Sequence, residues 1–313
     1  VVKGQSLKNI LKPPALKPGS TIGICAPASP IQQEYLDRGV EEIHELGFRT
    51  LLSKGLYSRS RYTAGDAETR VSDLLELWQE PTVDGIICAR GGYGSLDLLT
   101  RLEVETFHHN PKIFVGSSDV TALLCFLVTK VGMVCFHGPM VAQQVARGET
   151  AYDQASLTNV LGSAEPWAGF ESVDVRMLHE GAAEGFLVGG CLSLVAALVG
   201  TPYLPSFDGA ILFLEDTRVR PYQIDRMLRQ LELAGCLEGL RGLVFGQMPD
   251  CQQHPEQGYE TVELLADLTK DWRIPVLFGL PSGHTVSPAM TVPLGVQVRV
   301  DSNGLTLLEG AVV

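Results

Sequence analysis

Three segments of this chain carry residue types that together could perform nucleophilic hydrolysis. Phe114-Val-Gly-Ser-Ser-Asp-Val-Thr-Ala-Leu123 reads as a strand that turns sharply at Gly116 into a helix, which sets Ser118 at the strand's carboxyl end. Such a turn can expose a hydroxyl oxygen and aim helix N-terminal N–H groups at a nearby anion. It holds only the first half of the Gly-x-Ser-x-Gly elbow, because Val120 stands where the second glycine would be. A plain helix N-cap, for which Ser and Asp are favoured, is the competing reading. A nucleophilic serine needs a base, and neutral histidine is the usual one near pH 7. His284, in Leu280-Pro-Ser-Gly-His-Thr-Val286, lies in a loop just past a strand; His137, in Cys-Phe-His-Gly-Pro139, competes with it. His44 falls within a helical pattern, His108 and His109 in a polar loop, and His254 in a stretch that reads as solvated. A carboxylate to orient the base is available where Ala210-Ile-Leu-Phe-Leu214 ends in Glu215-Asp216. Alternation sets Glu215 on the face of Ile211 and Phe213, with Asp216 on the other. Either acid could instead pair with Arg218 or Arg220.

Glycines in Cys88-Ala-Arg-Gly-Gly-Tyr-Gly94 would let backbone approach a ligand closely and present N–H groups to an oxyanion or phosphate. The segment lacks the GxGxxG and GxxxxGK[ST] patterns, so no nucleotide cofactor is expected. HExxH and paired-cysteine spacings are absent too, so no metal is expected.

These residues need a scaffold, and the pattern around them supplies one. Strands over 21–25, 84–89 and 113–116 alternate with helical patterns over 32–46, 66–79, 95–102 and 119–129. That alternation implies parallel βαβ units with functional loops at the strands' carboxyl ends. Periodicity weakens between Gly162 and Gly181, where Pro166, Trp167 and Gly169 fit no repeat. Beyond it the pattern is mixed: helices over 192–198, 222–233 and 262–269, strands over 210–214, 243–246 and 276–278, and a terminal hairpin of 296–300 with 305–308. The expected units are an N-terminal domain over 1–165, a connecting segment over 166–180, and a C-terminal domain over 181–313.

With 313 residues the chain can bury a large core without disulfide or metal. Its formal net charge of −12 disfavours general binding to nucleic acid or anionic membrane. Seven cysteines, odd in number and mostly in apolar runs, fit a reducing compartment. Val1–Ser20 carries four lysines and three prolines, which is unlike a signal peptide. The most apolar stretch, Phe186–Val199, is too short to span a membrane. A cytoplasmic protein is the expectation.

In combination these segments resemble the LD-carboxypeptidase family of serine peptidases, which includes murein tetrapeptide carboxypeptidases and microcin C immunity hydrolases. The resemblance covers nearly the whole chain. It is carried by Gly19-Ser-Thr-Ile-Gly-Ile-Cys-Ala-Pro-Ala-Ser29, Ala89-Arg-Gly-Gly-Tyr-Gly94, Gly116-Ser-Ser-Asp-Val-Thr-Ala-Leu123, Phe136-His-Gly-Pro139, Leu212-Phe-Leu-Glu-Asp216 and Gly279-Leu-Pro-Ser-Gly-His284. It implies Ser118 as nucleophile, His284 as base, Glu215 as its orienter, and backbone N–H groups of Gly92 and Asp119 as the oxyanion hole. The implied fold is α/β: a Rossmann-like parallel-sheet N-terminal domain with a smaller mixed β/α C-terminal domain, in a homodimer. Gly189-Gly190-Cys191 departs from the family's usual Gly-Gly-Asn, outside the implied triad. The immunity branch usually carries a longer insertion with an aromatic residue for nucleotide stacking. Trp167 lies in that region, but the segment is short, so the murein branch is favoured.

The expected activity is release of the terminal D-alanine from a murein tetrapeptide through an acyl-enzyme, with Arg90 as a candidate reader of the terminal carboxylate. Rival readings are an immunity-type amidase acting on peptidyl or aminoacyl nucleotides, and a non-catalytic small-molecule binding protein.

Overall fold

The central strands of this chain are short and almost wholly apolar, so they must be covered on both faces; the result is two sheets flanked by helices. A computed structural model describes residues 10–253, 256 and 258–313. The strands in chain order are β1 Thr21–Ile24, β2 Arg49–Leu52, β3 Gly85–Ile87, β4 Ile113–Gly116, β5 Cys135–His137, β6 Arg176–His179, β7 Ala183–Cys191, β8 Ala210–Glu215, β9 Gly242–Gly246, β10 Val276–Leu280, β11 Val292–Leu294, β12 Gln297–Asp301 and β13 Gly304–Leu307. One sheet has the order β11-β5-β4-β3-β1-β2, parallel throughout except for β11. The second has the order β13-β12-β7-β8-β9-β10-β6, with β7 to β10 parallel and antiparallel strands on both sides.

In the first sheet the strand order reverses at β1, which has β2 on one side and β3 on the other. Parallel sheets open a ligand crevice at such a point, outside the strands' carboxyl ends. The glycine-rich turn after β3 and the serine turn after β4 both leave the sheet on that side.

Several elements follow the expected pattern with local changes. Helix Ala67–Gln79 begins one residue late because Asp66 is its cap, accepting from Thr69 N at 2.8 Å. The expected helix over 119–129 is instead a 3₁₀ turn at Ser118–Val120, an α-helix at Thr121–Phe126 and a π-turn at Leu127–Val131, closed by Gly132. The segment over 95–102 forms a 3₁₀ helix, Ser95–Arg101.

Other elements have weak local signatures. β5 and β11 are three residues each, and β11 contains Pro293, which lacks an N–H donor and so tolerates only the sheet edge where it lies. The apolar run over 186–199 is divided between β7 and helix Leu192–Ala197. The aperiodic segment before it folds as well, into a 3₁₀ turn at Ala168–Ser172 and the edge strand β6, antiparallel to β10. No helix among the described residues is long and apolar enough to cross a membrane.

Candidate active site

Ser118 occupies a strained elbow. β4 ends at Gly116, Ser117 remains extended, and Ser118 then takes φ +58°, a left-handed conformation that costs a non-glycine residue roughly 1 kcal/mol. The side chain is half-buried, beneath the glycine turn that follows β3. Gly91 packs so closely on it that a Cβ there would lie 2.8 Å from Ser118 Cβ and 3.1 Å from its Oγ. Any larger residue would press directly on the hydroxyl. Asp119 locks the two turns together: its Oδ2 accepts from Ser95 N at 2.8 Å, and its carbonyl accepts from Ser95 Oγ. The carboxylate is therefore a brace, and what Asp119 can offer a substrate is its backbone N–H.

Glu215 closes β8 and is fully buried. Its Oε2 accepts two hydrogen bonds from one residue, His284 N at 2.9 Å and His284 Nδ1 at 2.8 Å. This fixes both the loop and the ring, and directs Nε2 away from the carboxylate. Burial alone would raise the Glu215 carboxyl, but the charge of His284, the His137 imidazole 3.5 Å away and the hydrogen bonds from His284 outweigh it and hold the group at about 2. For His284 the balance runs the other way. Burial favours the neutral ring, yet the Glu215 carboxylate beside it raises the imidazole above its usual value. The ring is 26% exposed while its carboxylate partner is sealed, so only the base is open to a substrate.

The strand register joins the serine turn to this pair. Gly116 on β4 lies opposite His137 on β5, and Gly138 N donates to Gly116 O at 3.1 Å. The His137 ring is buried against Phe213 and sits 3.5 Å from Glu215 Oε1 through Nε2. A second bridge runs through β7, whose last residue Cys191 is opposite Glu215; Cys191 N donates to Thr121 Oγ1 at 3.0 Å, three residues past Ser118. The two candidate base histidines thus lie on opposite oxygens of one carboxylate, an arrangement no local motif displays. Cys191 itself is buried, and burial with the nearby Glu215 charge pushes its thiol well above the usual range. It is therefore a poor nucleophile.

Gly283 makes the junction possible. At φ +77°, a Cβ on it would lie 2.6 Å from both Glu215 Cδ and His137 Cε1. Beyond His284, Gln247 holds the loop: its Oε1 accepts from Thr285 Oγ1 and from Val286 N at 2.9 Å, and its Nε2 donates to Ser287 Oγ at 2.8 Å. Gln247 carried no recognisable signal, since a single glutamine after a strand is common.

The other singled-out residues have separate places. Asp216 caps helix Leu192–Ala197, accepting from Ser193 N and Thr217 N at 2.8 Å each, so neither acid of the pair binds Arg218 or Arg220. Arg218 instead lies 4.0 Å from Asp250, and Arg220 donates to Gln252 O at 2.9 Å. Arg90 donates Nη1 to Pro30 O at 3.2 Å and leaves Nε buried without a partner. His44 bonds to Thr50, while His108 and His109 lie not in a loop but in the last turn of helix Val104–His109, where they meet Val131 O and Glu105 O. His254 lies outside the described residues. No group of three or more His, Cys, Asp or Glu among the described residues could hold a metal ion.

A parallel-sheet unit presenting a serine elbow is thus joined to a mixed sheet that supplies a buried Glu–His pair. Residues 22–138 match the LD-carboxypeptidase N-terminal domain and residues 184–300 the LD-carboxypeptidase C-terminal domain. The chain belongs to the LD-carboxypeptidase family. It is 34% identical to a probable murein peptide carboxypeptidase of Bacillus subtilis, over 93% of this chain and 92% of that one. Among solved structures, muramoyltetrapeptide carboxypeptidase from Oxalobacter formigenes superposes with a TM-score of 0.79 at 30% identity, covering 91% of this chain and 97% of that one. The microcin C7 self-immunity protein MccF in complex with aspartyl sulfamoyl adenosine superposes with a TM-score of 0.88 at 26% identity, covering 97% and 100%.

Proposed function

We propose that this protein is a serine LD-carboxypeptidase that releases the terminal D-alanine from murein-derived tetrapeptides. The observation that carries the reading is the sealed Glu215 carboxylate holding a partly exposed His284 by both N and Nδ1. In this scheme Ser118 Oγ attacks the carbonyl of the L,D-type amide as His284 Nε2 takes its proton. The oxyanion is met by backbone N–H groups of Asp119 and Gly92. Gly92 is preferred over Gly91 because the Gly91 N–H is turned toward Gln143 Oε1, 3.5 Å away. His284 then returns the proton to the leaving D-alanine nitrogen, and water hydrolyses the acyl-enzyme. The reading includes a cytoplasmic homodimer acting in turnover of murein fragments. It assigns the nucleophile to a unit over 1–165 and the Glu–His pair to one over 181–313. Incubating the protein with tetrapeptide and measuring free D-alanine tests it; no release at enzyme concentrations near the substrate's would end it.

The murein reading is favoured over the nucleotide reading by Trp167. Its ring packs edge-on against Phe170, at 5.1 Å between centroids, and covers Gly169. An aromatic engaged in packing is a poor platform for a nucleobase.

Two further results are expected. Because Glu215 raises His284, kcat/KM should climb with pH through a midpoint above about 6.5, the ordinary imidazole value. A pH–rate profile with its acid limb below 6 would contradict His284 as the base. Amidating the terminal D-alanine should cost the wild type heavily and Arg90→Ala much less, because a planar guanidinium with an unpaired buried Nε suits a carboxylate. A contact to a charged group is worth roughly 1.5–3 kcal/mol, so the acid-to-amide ratio should narrow by at least about tenfold. Equal discrimination by both proteins would remove Arg90 as the reader.

A further inference from the structure

The buried edge of Glu215 raises a separate question. Oε2 is saturated by His284, while Oε1 has no hydrogen-bond partner within ordinary limits, and neither has His137 Nε2, 3.5 Å away. Both residues are fully buried, out of reach of bulk solvent. Buried polar atoms left in pairs facing one another point to a proton between them. The other ring nitrogen, Nδ1, is 2.9 Å from Ser282 Oγ, which also reaches Met290 O at 3.0 Å and His137 O at 3.3 Å.

A hydroxyl has one proton to give. If Ser282 gives it to Nδ1, the neutral ring carries its hydrogen on Nε2. If Ser282 gives it to a carbonyl, Nδ1 must donate to Oγ. A bare Nε2 would then face an anionic oxygen, lone pair against lone pair. The carboxylate therefore selects the first arrangement, with hydrogen on Nε2 and Ser282 donating to Nδ1.

We infer that His137 is a positioning residue for the hydrolytic centre: a second imidazole that donates Nε2–H to Glu215 Oε1, so that the carboxylate is held from both sides and cannot swing away from His284. The inference rests on Glu215 being the orienter of His284. Apo active-site hydrogen bonds are often long and tighten when substrate binds, which fits the 3.5 Å separation. The surroundings are built for this contact: Gly283 leaves room for both groups, the Phe213 ring meets the imidazole edge-on at 76°, and Gln144 Nε2 ties Gly283 O at 3.3 Å.

The donor also tunes the base. Charge drawn toward Oε1 is charge withdrawn from Oε2, so His284 holds its proton less tightly than it would beside an otherwise unbonded carboxylate. The other groups that act on His284 are Asp216, which raises it, and Arg218, which lowers it; Cys191 faces Glu215 across the sheet and stays neutral. None of these changes when His137 is replaced.

The test compares His137→Phe, which keeps the ring's bulk without a donor, with His137→Gln, whose amide nitrogen can reach the same oxygen. In His137→Phe, kcat should fall about ten- to a hundredfold with KM little changed, and the acid limb of kcat/KM should move to higher pH. His137→Gln should restore most of the rate and the wild-type limb. A folded His137→Phe with an unmoved acid limb and near-normal kcat would overturn the inference. Nitrogen-15 NMR of the wild-type imidazoles decides it even if the variants do not fold. Hydrogen on His137 Nε2 at neutral pH is expected, and an unprotonated Nε2 would overturn the assignment. That spectrum needs no substrate, so it stands apart from the hydrolase reading: absence of D-alanine release ends that reading and leaves the Nε2 result to be judged alone.

Discussion

Ser118→Ala should abolish D-alanine release while leaving the fold unchanged. The three proposed triad groups act as a unit, and deleting the nucleophile from such a unit lowers kcat by roughly 10⁶-fold, leaving only what binding and the oxyanion donors supply. The substitution removes a half-buried hydroxyl and keeps the Cβ at φ +58°, so the conformational strain is the same before and after. Thermal unfolding should therefore move by no more than a degree or two. Ser118→Gly makes the sharper comparison. It should be as inactive as Ser118→Ala but more stable, by roughly 1 kcal/mol, because glycine occupies the left-handed region without a Cβ clash. An inactive protein that gains stability at this position would identify the strain as one kept for the chemistry. Release by Ser118→Ala within tenfold of the wild type would end the serine-hydrolase reading.

What could be read from the chain alone follows the range of the interactions involved. β4, β8 and the start of β10 are apolar runs bounded by glycine, proline or acids, and their ends carry Ser118, Glu215 and the loop of His284. Those signals are local, and the residue types at strand ends are visible without a fold. β5 and β11 are invisible for the opposite reason: three residues make no period, and Pro293 argues against a strand until the edge position is known. The same limit hides the partnership of His137 with Glu215. It depends on β4 pairing with β5 in one sheet and on Ser282 returning from 145 residues away. From sequence, His137 and His284 are rivals for one role; in the fold they flank one carboxylate. Asp119 shows the complementary failure. Its place at a helix start is legible, but its side chain is committed to Ser95 on another turn, a contact set by the close approach of the loops after β3 and β4.

Glu215→Gln should keep the geometry and lose the charge. An amide oxygen can still accept from His284 N and Nδ1, so the loop should remain docked and the ring aimed. What disappears is the anion that stabilises the imidazolium formed when Ser118 is deprotonated. General-base catalysis contributes on the order of 10²–10⁴-fold, and most of it should be lost from kcat. The acid limb of kcat/KM should simultaneously move to lower pH, because the largest influence raising His284 is gone. Lower affinity for protons with lower rate is the signature of a lost counter-charge; misfolding would not move the limb in that direction. Stability gives an independent check. The Glu215 carboxyl is held at about 2, below its ordinary value, so its contribution is fully present above about pH 4.5 and is lost as pH falls toward 2. That contribution is on the order of 3 kcal/mol at neutral pH. Acid unfolding of the wild type should steepen across that window, and Glu215→Gln should lack that component. A variant that kept kcat within tenfold would show that His284 needs no anion beside it, and the role assigned to Glu215 would fail.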